Sequence, residues 1–125
     1  MLQQHNRLKK KRDIEIVFEK GRFFGGAVVT LLVWPIDIIA FPKRLYTKDM
    51  CKIGFVVSKK VSKSAVKRNR VKRQMREVIR LYLKQEKLKE GVFLLVQAKP
   101  IVLDNSYQNI ALDIERLLHR AKLLK

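Results

Sequence analysis

The sequence predicts an α/β sandwich built on one sheet. Three apolar runs of strand length, at residues 27–34, 51–58 and 92–98, carry that expectation together with the helix-periodic stretches that alternate with them. The chain has 125 residues, of which 47% are hydrophobic, and so it has the size of one domain, residues 1–125, with material for a real core. A wholly disordered basic tail is thereby excluded, although 29 Lys plus Arg face only 11 Asp plus Glu.

Taken in order, Asp13 is expected to cap a short first helix over residues 13–20, with Ile14, Val17 and Phe18 on one face and Gly21 as its stop. Val28 to Trp34 is β-branched and apolar and is closed by Pro35, which suggests a buried strand starting at Ala27. Ile36 to Phe41 is also apolar but bracketed by Pro35 and Pro42, so a strand extension, an edge segment and a packed loop all remain open. Lys43 to Asp49 reads as a turn and Cys51 to Ser58 as a second strand. Ser62 or Ser64 offers an N-cap to a long helix from Ala65 to about Lys89, stopped by Gly91. Val92 to Ala98 forms an interior third strand. Asn105 with Gln108 resembles a capping box, and Tyr107, Ile110, Ala111, Ile114, Leu117, Leu118 and Ala121 recur at helical spacing.

Several function classes drop out early. Residues 7–12 imitate the charged start of a signal peptide, yet Asp13, Glu15 and Glu19 stand where its apolar core belongs. The apolar stretch from Ala27 to Phe41 is broken by Pro35 and Asp37 and is shorter than the about 20 residues a membrane span needs. A cytoplasmic protein with no membrane partner is expected, and the single Cys51 suits a reducing compartment as a buried thiol. His5 and His119 lie at opposite ends, with no nucleophile or metal-ligand partner at a usable spacing, and no P-loop, GxSxG or HExxH occurs. By itself the chain does not read as a catalyst, and no metal site is expected in it.

The charge is concentrated. Residues 59–80 hold ten basic side chains and one acidic, half of the net +18 in 22 residues. At 100° per residue from Val71, the side chains of Val71, Met75, Val78, Ile79 and Tyr82 span about −20° to +80°, whereas Asn69, Lys72, Arg73, Arg76 and Arg80 fall between about 100° and 200°. A merely solvated face mixes signs through i,i+4 pairs, but here Glu77 alone opposes the cations. Lys67, Arg68 and Arg70 also crowd the helix start, where the dipole disfavours positive charge. Such a helix is organised around anions outside the chain. Residues 68–80 contain five Arg and one Lys, and the guanidinium fork suits phosphate, so nucleic acid fits better than a membrane surface.

The run Arg68-Asn69-Arg70, then Lys72-Arg73, then Arg76-Glu77, resembles the signature helix of the protein subunit of bacterial ribonuclease P. The likeness extends to Arg7-Leu8-Lys9-Lys10 ahead of a helix with Phe18 and a glycine, to Gly54-Phe55-Val56-Val57-Ser58-Lys59-Lys60, and to Ala98-Lys99-Pro100. The resemblance implies an α+β two-layer sandwich with a single mixed sheet and a left-handed βαβ crossover, similar to the second domain of a small-subunit ribosomal protein; general chirality would favour a right-handed one. It further implies a monomeric, non-catalytic protein cofactor of a ribozyme. The RNA subunit removes the 5′ leader of precursor tRNA with Mg²⁺, which is bound mainly through that RNA. Arg68, Asn69, Arg70, Lys72, Arg73 and Arg76 match the signature and would contact RNA, joined by Lys59, Lys60 and Arg80. Phe18 matches an aromatic of the leader-binding cleft, where a base would stack; packing in the core is the competing role. Ile14 and Leu32 depart from positions that are often aromatic in the family. A general RNA-binding module and a DNA-binding regulator are the rival readings, and both lack the rest of the signature.

Overall fold

The computed structural model describes residues 2–125. Helix α1 covers Lys11–Lys20, strands β1 and β2 cover Arg22–Gly25 and Val29–Pro35, and β3 covers Cys51–Val56. Helix α2 spans Ala65–Lys84, β4 spans Val92–Ala98 and α3 spans Tyr107–Arg120. The strands form one mixed sheet in the order β1-β2-β4-β3, antiparallel except for the β3–β4 pair, which α2 connects.

Strand alternation divides the core. Val29, Leu31 and Val33 of β2, with Leu94 and Val96 of β4 and Ile53 of β3, meet Val71, Met75, Val78 and Ile79 of α2 and Ile110, Ile114, Leu117 and Leu118 of α3. The intervening residues Leu32, Trp34, Phe93 and Leu95 face the other way, against Ile16 and Val17 of α1, Leu8 and Tyr46. β4 is interior, and five of its seven side chains in succession are buried, which explains its continuous apolar run. Burying each such side chain contributes roughly 1.5–3 kcal/mol. Gly54 is required by close approach: a Cβ there would stand 2.8 Å from Leu95 Cδ2 and 3.4 Å from the Leu8 side chain.

Several elements differ from the sequence reading, each for a local reason. Asp13 is not a cap; it lies inside α1, buried, and accepts the Tyr46 hydroxyl hydrogen bond. Ile16 and Val17 make the buried face of α1, while Phe18 points outward. A fourth strand, β1, forms from Arg22-Phe23-Phe24-Gly25, a stretch too short and too glycine-bounded to read as a strand alone; the ladder to β2 supplies its hydrogen bonds. Of the three possibilities for Ile36 to Phe41, the packed loop is found: Ile36, Ile38 and Phe41 pack on the α1-side core, and Phe41 lies edge-on to Trp34.

Helix α2 ends at Lys84, about one turn before the expected stop, because residues 87–89 pair with the C-terminal segment instead. Lys89 N–H donates to Leu123 O at 2.8 Å and Lys125 N–H to Lys87 O at 2.8 Å, around the buried Leu88. Gly91, at φ +80, instead leads into β4. Ser64 caps α2 and Ser106 caps α3, accepting from Lys67 N–H and Asn109 N–H respectively; Asn105 turns its side-chain amide to Ile101 O.

Candidate nucleic-acid interface

The parallel β3–β4 pair sends both C-terminal ends to one end of the sheet, and the basic elements start there. After Val56 the chain makes a turn in which Val61 N–H donates to Ser58 O at 3.0 Å, Val61 is buried and Lys59 and Lys60 are exposed. The capped start of α2 follows. Lys99 stands just past the end of β4, and its ammonium donates to Gly26 O at the tip of the β1–β2 hairpin. Topology thus gathers at one end of the sheet residues far apart in sequence.

Along α2 the predicted separation of faces holds. Val71, Met75, Val78 and Ile79 are buried, Asn69, Arg70 and Arg73 are exposed, and Arg68, Lys72, Arg76 and Arg80 are partly exposed. Among the described residues the ion pairs are Lys11–Glu15, Arg12–Asp13 and Arg80–Glu77. Seven of the nine basic-face residues, Lys59, Lys60, Arg68, Arg70, Lys72, Arg73 and Arg76, therefore carry charge with no carboxylate within ion-pair range; Asn69 is neutral. Arg80 differs, because its Nε and Nη2 donate to Glu77 at 2.9 and 2.6 Å. That fork holds the Glu77 carboxyl below its ordinary pKa, chiefly through the hydrogen bond from Arg80. Two further guanidiniums are oriented by the protein. Arg68 Nη1 donates to Ser62 O at 2.9 Å, and Arg76 lies 5.8 Å from the centre of the Phe55 ring.

A second surface lies on the opposite sheet face. On α1, Asp13 lies between Ile16 and Val17 on the buried face, while Ile14 and Phe18 stand about 100° and 140° round the helix from it. The segment 36–46 packs beside α1: Tyr46 reaches Asp13, and the Lys20 ammonium and Arg44 guanidinium lie 5.1 and 4.7 Å from the Phe41 ring centre. That segment clusters with Trp34 and Phe93, which mark one end of the sheet. At the other end of the same sheet face, Thr30, Gln97 and Val56 follow one another across β2, β4 and β3.

Phe18 is 49% exposed on α1, which removes the core-packing role. Ile14 packs on the α1-side core and Leu32 is buried beneath α1, so neither offers an aromatic face. Sequence reading missed Phe23, which shares this sheet face and is 68% exposed; the signal was available in the alternation of Arg22-Phe23-Phe24-Gly25. Cys51 is buried, and burial, then Glu90, pushes its thiol up to about 11. Both histidines are exposed. Among the described residues no three His, Cys, Asp or Glu side chains converge as metal ligands, and no helix is long and apolar enough to cross a membrane.

A small α+β domain whose long helix carries cations without carboxylate partners, with Lys59 and Lys60 exposed ahead of its start, has the charge pattern of a polyanion-binding protein. The chain belongs to the ribonuclease P protein family, whose members are protein components of an endoribonuclease acting in tRNA processing. The family model for ribonuclease P matches residues 2–122. The chain is 38% identical to the ribonuclease P protein component of a Pseudanabaena species, over 99% of this chain and 97% of that one. It is 31% identical to that of Alkaliphilus metalliredigens, over 98% and 99%. Its fold is similar to that of the RNase P protein of Staphylococcus aureus, with a TM-score of 0.76 at 24% identity, covering 96% of this chain and 98% of that one. The Thermotoga maritima RNase P protein, solved with 1-(4-fluorophenyl)-2-thiourea, gives 0.72 at 21% identity, covering 91% and 98%.

Proposed function

We propose that the chain works as a monomer within a ribonucleoprotein, binding the catalytic RNA of ribonuclease P through α2 and the 5′ leader of precursor tRNA through the cleft beside Phe18. The observation that carries this reading is the row of unpaired cations on α2, which leaves a stripe of positive charge along a helix about 30 Å long. Arg70, Lys72, Arg73 and Arg76 neutralise phosphates of the RNA subunit, and Arg68, fixed on Ser62 O, and Asn69 orient it at the helix start. Lys59 and Lys60 extend the contact across the turn. Arg80 contributes less, because Glu77 occupies its fork.

In the cleft, Phe18 presents a ring on which an unpaired leader base stacks, worth about 1 to 3 kcal/mol. The bond is cut by the RNA subunit, whose Mg²⁺ supplies the metal chemistry; this chain holds substrate and RNA together and supplies no reacting group. The work takes place in the cytoplasm, where precursor tRNA is made.

Titrating the protein against a bacterial ribonuclease P RNA, an unrelated structured RNA and duplex DNA at fixed salt tests the assignment. Binding to the ribonuclease P RNA at least tenfold tighter than to the others is expected. Equal affinity for all three would reduce the protein to a general polyanion binder.

A further inference from the structure

Phe23 is the most exposed aromatic ring on the α1 side of the sheet, 68% accessible in a strand whose ladder partners Leu31, Leu32 and Val33 are all buried. Its place follows from register. Phe23 stands opposite Leu32 and Phe24 opposite Leu31, so alternation sends Phe24 towards the α3 side and Phe23 to the α1 side, the face on which Phe18 opens. The ring extends over Gly25, where a Cβ would lie 3.2 Å from Phe23 Cε1. Gly25 pairs with Thr30, at the end of the sheet where β3 and β4 finish and the chain runs on to Lys59 and Lys60.

One exposed phenylalanine is ordinary on a protein surface. Phe23 is distinguished by two cations tied to the backbone two and three residues further on, at the hairpin tip. Arg120 Nη1 donates to Gly25 O at 2.9 Å and the Lys99 ammonium to Gly26 O. Neither has a carboxylate within ion-pair range among the described residues. A second copy of a chain carrying +18 is repelled from such a surface, whereas a single strand of nucleic acid brings a base for the ring and phosphates for the cations.

We propose that Phe23 is a base-stacking residue for the single-stranded 5′ leader, supplying from β1 the aromatic surface that Leu32 does not supply from β2, with Lys99 and Arg120 holding the adjoining phosphate. The assignment rests on the leader-binding reading of the cleft. It predicts a leader track from Phe18 across to the hairpin tip.

The test uses holoenzyme assembled from the protein and a bacterial ribonuclease P RNA, and compares affinity for precursor tRNA bearing a leader with affinity for leaderless tRNA. Phe23→Ala should reduce the leader-dependent gain about fivefold or more, leave leaderless affinity and melting temperature unchanged, and be rescued by Phe23→Tyr. A wild-type gain that Phe23→Ala leaves intact would overturn the Phe23 assignment alone. Loss without rescue by tyrosine, or with a lowered melting temperature, would also overturn it, as a packing effect. A wild-type holoenzyme with no leader-dependent gain would overturn the leader-binding reading and Phe23 with it.

Discussion

Asp113 Oδ2 accepts the backbone N–H of Val28 at 2.8 Å, joining residues 85 positions apart and fixing the β1–β2 hairpin to α3. The same carboxylate takes the N–H groups of Val29 at 2.9 Å and Ala27 at 3.1 Å. Three backbone donors at a turn are thus satisfied by one buried side chain, and Gly26 is obligatory because a Cβ there would stand 2.5 Å from that carboxylate.

Asp113→Asn puts an amide N–H₂ where one acceptor oxygen stood and should cost about 2–3 kcal/mol, lowering the melting temperature by on the order of 10 °C. Thermal unfolding followed by circular dichroism checks this. A change below about 2 °C would show that the hairpin does not depend on α3.

On α2, Arg73→Ala and Arg76→Ala should each weaken binding to the RNA subunit and lower the slope of log affinity against log salt by about 1, with no loss of helix content. Glu77→Gln should act in the opposite direction, because it releases the Arg80 fork. Tighter RNA binding by this variant, with a steeper salt slope, is expected; unchanged affinity would mean that Arg80 is remote from the RNA.

Much of this was legible in the sequence, and the exceptions share a cause. The two faces of α2 could be read because twenty helical residues average out local noise, and the buried β4 because its run was bounded by Gly91 and Pro100. The uncompensated charge was visible for the same reason: composition over 22 residues is robust. β1 was missed because a four-residue edge strand owes its existence to β2, and Asp13 was misread as a cap because its partner, Tyr46, lies 33 residues away. Phe18 showed its type but not its exposure, since a helix of ten residues does not by itself fix which flank faces a sheet. The pairing of Arg80 with Glu77 was present at i,i+3 spacing.

Phe18→Ala should leave stability within about 0.5 kcal/mol, since the ring is exposed, while lowering affinity for leader-bearing substrate. Phe93→Ala provides the contrast. Fully buried between Trp34 and Tyr46, Phe93 should cost about 3–5 kcal/mol when truncated. Urea titrations of the two variants separate a surface ring from a core ring; comparable losses would contradict the outward placement of Phe18.

Cys51 gives an alkaline prediction. Its folded pKa is raised to about 11, so its contribution is fully present below the unfolded thiol's pKa and is lost as pH rises towards 11, by up to about 3 kcal/mol. Tyr46, raised chiefly by burial, acts in the same direction from pH 10 upward. Stability measured between pH 8 and 11 should fall, and Cys51→Ala should flatten the part of that fall below pH 10. Native Cys51 should also react with a thiol reagent at pH 8 far more slowly than the urea-unfolded chain; equal rates would contradict its burial.

The most direct measurement is 5′ cleavage of a precursor tRNA at low Mg²⁺ by a bacterial ribonuclease P RNA, with and without this protein and with the protein alone. Cleavage should rise at least tenfold when the protein is added, be absent with the protein alone, and drop when Arg73 and Arg76 are both replaced by alanine. Cleavage that the protein does not stimulate, despite a folded chain, or stimulation that survives loss of both arginines, would contradict the role given to the basic face of α2.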